Sequence, residues 1–451
     1  MAAWDCAPAA MLRMRRVLIV SPNWPPISCP DLHRVRMALP YFHELGWEPL
    51  VLHIDPAEQE GIKDPTLCLT IPPETQTWQA RAVPRSLTAW SGLKSVGLRS
   101  YRSLQQIGAR IIERQQPALV FFSTAMFVTT TLGPIWKQRF GMRYVIDMQD
   151  PWISDGKGSD LAPGGSFKYG LSRFIAHQLE PRVMRGASHV MCVSPHYVKM
   201  LRRRYPDLGG KQLSVVPFGA PERDFELLPG LGITQPLFDP VDGNQHWVYI
   251  GAVGVIMANA LRILFSALAS LRRSQPADWQ NVRLHFAGTS YAPRGLAQKT
   301  VEPIARECGV GDIVSEITDR IPYFETLKGL TEANALIIVG SDLPSYSASK
   351  LYPYMLAGRP MLAVLHEASP AVEILRSCRI EEVVTFNPAR IGQADSRMKE
   401  ALAALRHKSV ARAPNAAAAA DRINSSEFAR YTGREMTRRM CETFDDVVAS
   451  K

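Results

Sequence analysis

Short apolar runs alternate with helix-like segments along most of this chain, and the alternation starts afresh near residue 246. The first series of predicted strands is Val17–Val20, Pro49–His53, Leu119–Phe122, Tyr144–Ile146, Val190–Val193 and Ser214–Val216. The second series is Trp247–Ile250, Arg283–Ala287, Ile313–Glu316, Ala335–Val339, Met361–Val364 and Glu382–Thr385. Strands separated by helices pair in parallel, so the pattern predicts an α/β protein with two doubly wound parallel sheets.

The segment between the two series is rich in Pro, Gly and Asp, which is typical of a boundary between domains. A chain of 451 residues is also too long for one compact core. We therefore predict an N-terminal extension at 1–13, an N-terminal Rossmann-like domain at 14–225, a linker at 226–245 and a C-terminal Rossmann-like domain at 246–420. Helix-forming sequence near the end predicts a terminal helix within 421–451 that packs back toward the N-terminal domain.

The amino-acid composition limits the kinds of partner that the protein can bind and the cellular compartment in which it is expected. The net charge of +10 favours anionic partners such as phosphates, acidic lipid or nucleic acid. The seven cysteines form no CxxC pair and the ten histidines show no metal-ligand spacing, so we expect a reduced cytoplasmic protein without a bound metal. The first apolar run, VLIV, is too short for a signal peptide. Longer apolar stretches at 118–136 and 247–271 contain Thr or Gly, which favours strand, loop and helix over a membrane span.

Residues 345–360 read SYSASKLYPYMLAGRP and follow a predicted strand. Such a turn opens a helix, predicted here at Leu351–Gly358, whose free N–H groups and dipole favour an anion. Ser347 and Ser349 are candidate phosphate donors or helix caps, and Lys350 adds a full charge. Pro353 is tolerated because the first helical turn does not use the missing N–H. At this point phosphate binding and simple capping of a surface helix are both open.

The segment SASKLYPYMLAGRPMLAV resembles the donor-site segment of GT-B glycosyltransferases, especially the retaining glycosyltransferase family 4. Further segments similar to that family follow in its order: RRVLIVSPNWPP, YVIDMQDPW, LEPRVMRGASHVMCVSPHYVKMLRRRYP, VVPFG, WVYIGAVG, LHFAGT and DRIPYFETLKGLTEANALIIVG. The resemblance runs from about Arg16 to the terminal helix. It implies the GT-B fold, in which two Rossmann-like domains face one another across a cleft and the second binds a nucleotide-sugar donor.

The resemblance and the polar residues that follow predicted strands together give the site candidates, although Asp31 and Arg34 equally suit the start of a helix. The donor-binding candidates are Gly251, Gly254, Arg320, Ile321, Tyr346, Ser347, Ala348, Ser349, Lys350 and Leu351. The acceptor-binding candidates are Asn23, Asp31, Arg34, Ser123, Thr124 and Asp147, and the catalytic candidates are Asp150, Lys350 and Arg320. Judged from the residues alone, Asp150 at the end of an apolar strand suits a hydroxyl ligand or the cap of a turn before Pro151.

The chain departs from the family pattern at the donor site. Pro353 replaces a glutamate that holds the ribose in many members, and the place of a second glutamate falls near Ser345. After the first strand of the second domain, GAVGVIMANA has no counterpart of the Arg and Lys that commonly clamp the diphosphate. Lys350 and Arg320 are the expected substitutes.

The segment 78–114 is strongly basic and contains aromatic residues. Its charged residues are Arg81, Arg85, Lys94, Arg99, Arg102, Arg110, Arg114 and one acid, Glu113, and they are interleaved with Trp78, Trp90, Leu93, Leu98 and Tyr101. Such a segment suits an anionic membrane surface, and it equally suits a solvated helical face over the core of the first domain. We expect no nucleic-acid partner, because no binding fold of that kind is recognisable.

Together these features predict a retaining, metal-independent glycosyltransferase that acts on a glycan or lipid-linked acceptor in cell-envelope or exopolysaccharide assembly. No cofactor is expected besides the nucleotide-sugar co-substrate. The protein is expected in the cytoplasm, where it is either free or bound peripherally to the inner face of the cytoplasmic membrane. The rival predictions are a non-catalytic GT-B protein that binds a nucleotide or glycan or scaffolds a partner enzyme, and a lipid-surface adaptor.

Overall fold

The computed structural model describes residues 14–88, 95–153, 165–209, 212–290, 292, 295–344, 349–410 and 426–450. The chain forms two compact units. Unit 1 comprises Met1–Pro217 and Thr437–Lys451, and unit 2 comprises Phe218–Met436.

Unit 1 contains a seven-stranded sheet with the order β3-β2-β1-β4-β5-β6-β7. Its strands are β1 (Arg15–Val20), β2 (Trp47–Ile54), β3 (Gln76–Ala80), β4 (Leu119–Ser123), β5 (Tyr144–Met148), β6 (His189–Cys192) and β7 (Leu213–Val215). All neighbours are parallel, with Val17 of β1 opposite Pro49 of β2 and Leu119 of β4. The winding direction reverses between β1 and β4, which leaves a crevice at their carboxyl ends.

Helices cover the sheet of unit 1. They are α1 (His33–Ala38), α2 (Arg85–Thr88), α3 (Val96–Arg99), α4 (Tyr101–Gln115), α5 (Leu132–Phe140), α6 (Gly165–Gly186) and α7 (Pro195–Arg204). The helix predicted from Arg34 to Leu45 ends at Ala38 and gives way to two short 3-10 turns. Pro40 explains the break, because it cannot donate the hydrogen bond that an α-helix needs at that place.

Unit 2 contains a six-stranded sheet with the order β10-β9-β8-β11-β12-β13. Its strands are β8 (Gln245–Ile250), β9 (Val282–Ala287), β10 (Val314–Ile317), β11 (Ala335–Val339), β12 (Met361–His366) and β13 (Val383–Phe386). Its helices are α8 (Glu222–Leu227), α9 (Ala258–Ser274), α10 (Pro276–Trp279), α11 (Val301–Glu307), α12 (Tyr323–Glu332), α13 (Leu351–Leu356), α14 (Pro370–Ser377) and α15 (Asp395–Val410). A last helix, α16, spans Gly433–Ala449. The predicted α/β class with two doubly wound parallel sheets is confirmed.

The most apolar helical segment lies in the core of unit 2. Among the described residues, Val255–Ser274 is the one segment long and apolar enough to cross a membrane by length and composition, and half of it is buried in the protein. Leu261, Leu264 and Phe265 of α9 pack with Trp247 and Phe286 of the sheet. This helix therefore serves the core of unit 2.

The structure corrects two expectations about the chain's organisation. The edge strand β3 was not predicted, because Gln76–Ala80 alternates polar residues with a single half-buried Trp78. The expected linker at 226–245 belongs to unit 2, since Leu228 and Leu237 are buried in the same cluster as Val248 of β8.

The terminal helix α16 supplies core residues to unit 1. The ring centroid of Phe444 lies 6.4 Å from that of Phe42, 5.4 Å from Trp47 and 5.2 Å from Phe121. Arg143 donates to the backbone oxygens of Val447 and Val448. These contacts pack α16 against the face of the sheet that carries Trp47 of β2 and Phe121 of β4.

Candidate functional site

The winding of the unit 2 sheet reverses between β8 and β11, so the carboxyl ends of these two strands border a crevice. Gly251 follows β8, and the turn before α13 follows β11. The amide of Asp342 donates to the carbonyl of Ile256 at 2.8 Å and joins the two loops. Ligands of open parallel sheets bind in crevices of this kind, so the residues that line it form the candidate site.

Lys350 reaches into this crevice. Its Nζ donates a hydrogen bond to the hydroxyl of Tyr249 and lies 4.1 Å from the centroid of that ring. Gly251 makes room for the ammonium group, because a Cβ at this position would lie 2.5 Å from Nζ and 3.0 Å from Cε. The backbone of Gly251 has a φ of +141°, which residues with a side chain rarely adopt. The φ value favours glycine at this position, and the missing side chain leaves the space that the end of Lys350 occupies.

The ammonium group of Lys350 lacks a carboxylate partner among the described residues. Burial lowers the pKa of Lys350 to about 7, since no nearby negative charge offsets the loss of water. A bound anion would supply that charge. The crevice thus has an unpaired cation where the phosphate of a ligand is expected.

The other donor-site candidates lie around this cation. Gly288 has a φ of +66°, and a Cβ there would lie 3.9 Å from the amide nitrogen of Gly251 and 3.8 Å from the Cα of Arg320. Ile321, next to Arg320, packs against the core of unit 2. The ends of β8, β9 and β10 therefore converge, and Arg320 belongs to the same edge of the sheet as Lys350.

The turn that the sequence emphasised is only partly described. Tyr346, Ser347 and Ala348 lie outside the described residues. Ser349 is exposed and does not cap the helix, whose N-cap position is Lys350 and whose first residue is Leu351. Pro353 lies in the first turn of α13, as the sequence predicts.

Two of the amides at the start of α13 are used within the turn itself. The amides of Tyr352 and Tyr354 donate to the carbonyls of Ser349 and Lys350, and α13 has only six residues. The side chain of Lys350 is therefore the main positive feature of this turn.

The mouth of the crevice is apolar, and the loop after β8 lacks the Arg and Lys that the resemblance implies. Val255 is 82% exposed and Ile256 and Leu343 are also exposed, and Gly254 begins this short turn. Asp342 was missed in the sequence. Its Oδ2 accepts from Asn259 at 2.9 Å, while its buried Oδ1 has no hydrogen-bond partner within the described part of the chain. A ligand hydroxyl could satisfy that oxygen.

In unit 1, Arg34 and Asp147 form a buried ion pair. The Nε of Arg34 lies 2.9 Å from Oδ2 of Asp147, and both side chains are fully buried. Burial raises the pKa of Asp147, while the Arg34 guanidinium and donors from Ser123 and Gln149 oppose that rise. Arg34 also donates to the carbonyls of Val216 and Pro217. The prediction that Arg34 and Asp147 contact an acceptor is therefore wrong for this structure, because neither side chain is accessible.

Asp31 forms the second half of the same network. Its carboxylate accepts from Asn23 Nδ2 at 2.8 Å and from the amide of Ala125 at 2.9 Å, with Thr124 Oγ1 at 3.4 Å. Gln149, which was missed in the sequence, donates to the carbonyl of Asp31 and to Oδ2 of Asp147. All six acceptor-site candidates thus meet at the β1/β4 crevice, where they form its buried polar floor.

Asp150 lies above this floor and is exposed. Partial burial of its carboxyl group and the negative charge of Asp31 raise the pKa of Asp150. A carboxyl group with a raised pKa can donate as well as accept hydrogen bonds over a wider pH range. Asp150 is the predicted residue of unit 1 that remains available to a ligand.

The described part of the chain contains no recognisable metal-binding site. No three His, Cys, Asp or Glu side chains there gather in a metal-binding arrangement. Independence from metal stays a prediction.

Two doubly wound parallel sheets, each with a crevice where its winding reverses, define a chain with the GT-B fold of glycosyltransferases. Residues 32–219 match the family described as "Glycosyl transferase 4-like domain", and this match lies almost wholly in unit 1. The resemblance to a family 4-like GT-B fold is thereby confirmed. No curated protein matches the chain.

Solved structures match both units together. The sucrose-phosphate synthase of Thermosynechococcus elongatus is 14% identical with a TM-score of 0.60, covering 97% of this chain and 100% of its own. A structure described as "Trehalose-6-phosphate from E. coli bound with UDP-2-fluoro glucose" is 11% identical with a TM-score of 0.60, covering 97% and 99%. WaaG, a glycosyltransferase involved in lipopolysaccharide biosynthesis, is 14% identical with a TM-score of 0.55, covering 96% and 100%. At such identities these likenesses show the fold.

Proposed function

We propose that the protein is a retaining glycosyltransferase that binds the diphosphate of a nucleotide-sugar donor at Lys350. The observation that carries this proposal is the Nζ of Lys350, which has no carboxylate partner among the described residues and lies against Tyr249 and Gly251 at the β8/β11 crevice. Support for the donor class comes from the E. coli structure of the same fold, which is bound with UDP-2-fluoro glucose. Arg320, which follows β10 at the same edge of the sheet, is the second candidate contact.

The chemistry that suits these residues needs little from the protein beyond positioning and charge. The bond between the sugar C1 and the leaving diphosphate breaks, the acceptor oxygen bonds to C1 on the same face, and the acceptor proton passes to the leaving phosphate oxygen. Lys350 stabilises the charge that develops on the diphosphate. Asp150 orients the acceptor hydroxyl.

The acceptor is a glycan or a lipid-linked glycan, and the process is cell-envelope or exopolysaccharide assembly. WaaG, which shares the fold, is involved in lipopolysaccharide biosynthesis. The proposed place is the cytoplasm, at the inner face of the membrane. Leu87, Leu98 and Arg102 are exposed, which favours contact with an anionic lipid surface. Trp78 and Tyr101 pack against the core of unit 1, which favours the alternative of a solvated helical face. Trp90, Leu93 and Lys94 lie outside the described residues.

The direct test is a screen of UDP, GDP, ADP and CMP sugars by melting shift, followed by turnover with candidate acceptors. We expect one nucleotide class to raise the melting temperature and to release nucleoside diphosphate only when acceptor is present. The anomeric configuration of the product, read by NMR, should equal that of the donor. Inversion would contradict the retaining mechanism, and the absence of any nucleotide shift would contradict the whole proposal.

The pH dependence of donor binding should report on Lys350. The diphosphate of a nucleotide sugar keeps its charge near neutrality, so the lysine is the group that titrates. Below its pKa of about 7 Lys350 is a cation, and above it binding must first recruit a proton. We expect the Kd to rise by about tenfold per unit between about pH 7.5 and pH 9. The variant Lys350→Arg stays charged and should give a nearly flat profile over this range. A flat profile in the unmodified protein would exclude Lys350 as the phosphate ligand.

A second candidate function is a non-catalytic GT-B protein that binds a nucleotide or glycan. The observation that favours it is the apolar mouth of the crevice, where Val255 and Ile256 are exposed. The same loop has Ala252 and Met257 or Ala258 at the places where the resemblance implies an Arg and a Lys. Pro353 instead of a glutamate supports the same alternative. A melting shift with a nucleotide and no turnover with any acceptor would favour this function over transfer.

A further inference from the structure

Helix α7 of unit 1 borders a pocket that the proposed donor site does not use. The cavity measures about 480 Å³ and is lined by His196, Lys199, Met200, Arg203 and Arg204. These residues recur at helical spacing, so they share one face of α7. Met200 is buried and gives the pocket an apolar base, while His196, Lys199 and Arg203 are exposed. A volume of this size is in the range of small-molecule sites.

A buried carboxylate fixes one side of this pocket. Glu180 of α6 is fully buried and accepts from Arg204 Nη1 and from the hydroxyl of Tyr205, each at 2.8 Å. Its other oxygen accepts from the amide of Ile153 at 2.9 Å, and Arg204 Nη2 donates to the carbonyl of the same residue. The charge of Arg204 is thereby balanced, and its guanidinium is held in one orientation.

The remaining cations of the pocket are not balanced in this way. Neither Lys199 nor Arg203 has a carboxylate within ion-pair distance in the described ranges. Two cations beside one cavity favour the binding of an anion there. A phosphate group with more than one negative charge fits two such cations better than a carboxylate does, and Arg binds it through paired N–H donors.

We propose that the α7 pocket binds a phosphate-bearing group through Lys199 and Arg203 of unit 1, which are not residues of the proposed donor site in unit 2. The assignment of this group to the acceptor rests on the proposed function. The phosphate can belong to a lipid-linked acceptor or to a soluble phosphorylated one, because the pocket recognises the chemistry that both share.

The test is titration with inorganic pyrophosphate by calorimetry, carried out in the Lys350→Ala background so that the donor site does not contribute. The double variant Lys199→Glu/Arg203→Glu should bind pyrophosphate about tenfold more weakly or worse. The matched control is Arg202→Glu, which reverses a charge on the same exposed helix at a position that does not line the pocket. We expect that control to change the affinity by less than about twofold.

Equal weakening in the control and the double variant would overturn the proposal, because diffuse attraction to a basic surface would then explain the binding. No pyrophosphate binding in the Lys350→Ala background would overturn it as well.

A parallel experiment with phosphatidylglycerol vesicles shows whether the phosphate belongs to a lipid or to a soluble molecule. Loss of vesicle binding in the double variant alone indicates a lipid-linked phosphate, and unchanged vesicle binding indicates a soluble one. Neither arm contains a nucleotide sugar, so failure of the proposed transfer reaction would not be mistaken for failure of this site.

Discussion

Replacing Gly251 with alanine should weaken nucleotide-sugar binding by about tenfold or more, an effect comparable with that of Lys350→Ala. The added methyl group would lie 2.5 Å from Nζ of Lys350, so the ammonium group must leave its place against Tyr249. The φ of +141° adds a backbone cost of about 1–3 kcal/mol for any residue with a side chain. Donor melting shifts and calorimetric Kd values measure the loss.

Gly254→Ala is the matched control for this prediction. Gly254 lies three residues further along the same loop, has a φ of −114°, and its added Cβ would meet only Ile256 at 3.9 Å. Gly254 is itself a donor-site candidate, but the added methyl group clashes with nothing and leaves any contact from its backbone in place, so this variant should bind the donor within about twofold of the unmodified protein. If both alanine variants bind equally well, the Gly251 and Lys350 contact does not position the diphosphate.

Replacing Asp147 with alanine should destabilise the protein by about 3–5 kcal/mol, because the guanidinium of Arg34 would stay buried without its partner. Both side chains are fully buried, and the Nε to Oδ2 distance is 2.9 Å. Ser123 and Gln149 would also lose the carboxylate to which they donate. The free energy of unfolding from urea titrations measures the effect.

Two controls separate burial from charge in this prediction. The double variant Arg34→Leu/Asp147→Leu removes both charges and should recover a large part of the lost stability. Glu113→Ala breaks the exposed pair with Arg139 and should cost about 1 kcal/mol or less. A single Asp147→Ala variant as stable as Glu113→Ala would contradict the structural role assigned to the buried pair.

The sequence predicted the sheets because their strands carry a strong local signal. Val17–Val20 and Ala335–Val339 are fully buried runs bounded by polar residues, and burial on both faces is typical of parallel strands. Strand β3 lacks this signal, since an edge strand with one half-buried Trp78 needs few apolar residues. The expected linker was misread for a related reason: its Pro and Gly content resembles a linker, whereas Leu228 and Leu237 are buried in the core of unit 2.

The sequence predicted where in the sheets the candidate site residues lie, but it did not predict which side chains contact one another. Asn23, Ser123 and Asp147 lie at or just beyond the carboxyl ends of three strands that share one edge, so the sequence could place them together. It could not show that Arg34 would fill the space and bury Asp147. Lys350 and Gly251 were both candidates, yet Tyr249 was read as a plain strand residue. The apolar pattern of a buried strand does not reveal that Lys350, about a hundred residues further along the chain, contacts the hydroxyl of Tyr249.

The contribution of α16 to unit 1 has a consequence for biosynthesis. Phe444 is translated after the whole of unit 2, although the aromatic residues that it covers, including Phe42 and Trp47, leave the ribosome first. Unit 2 is one uninterrupted stretch of sequence and can fold while the chain is still being synthesised. One face of the unit 1 sheet stays uncovered until Phe444 has been translated. The usual order in which N-terminal domains fold first is therefore reversed for the final step, and chaperone demand should concentrate on the half of the protein that is made earliest.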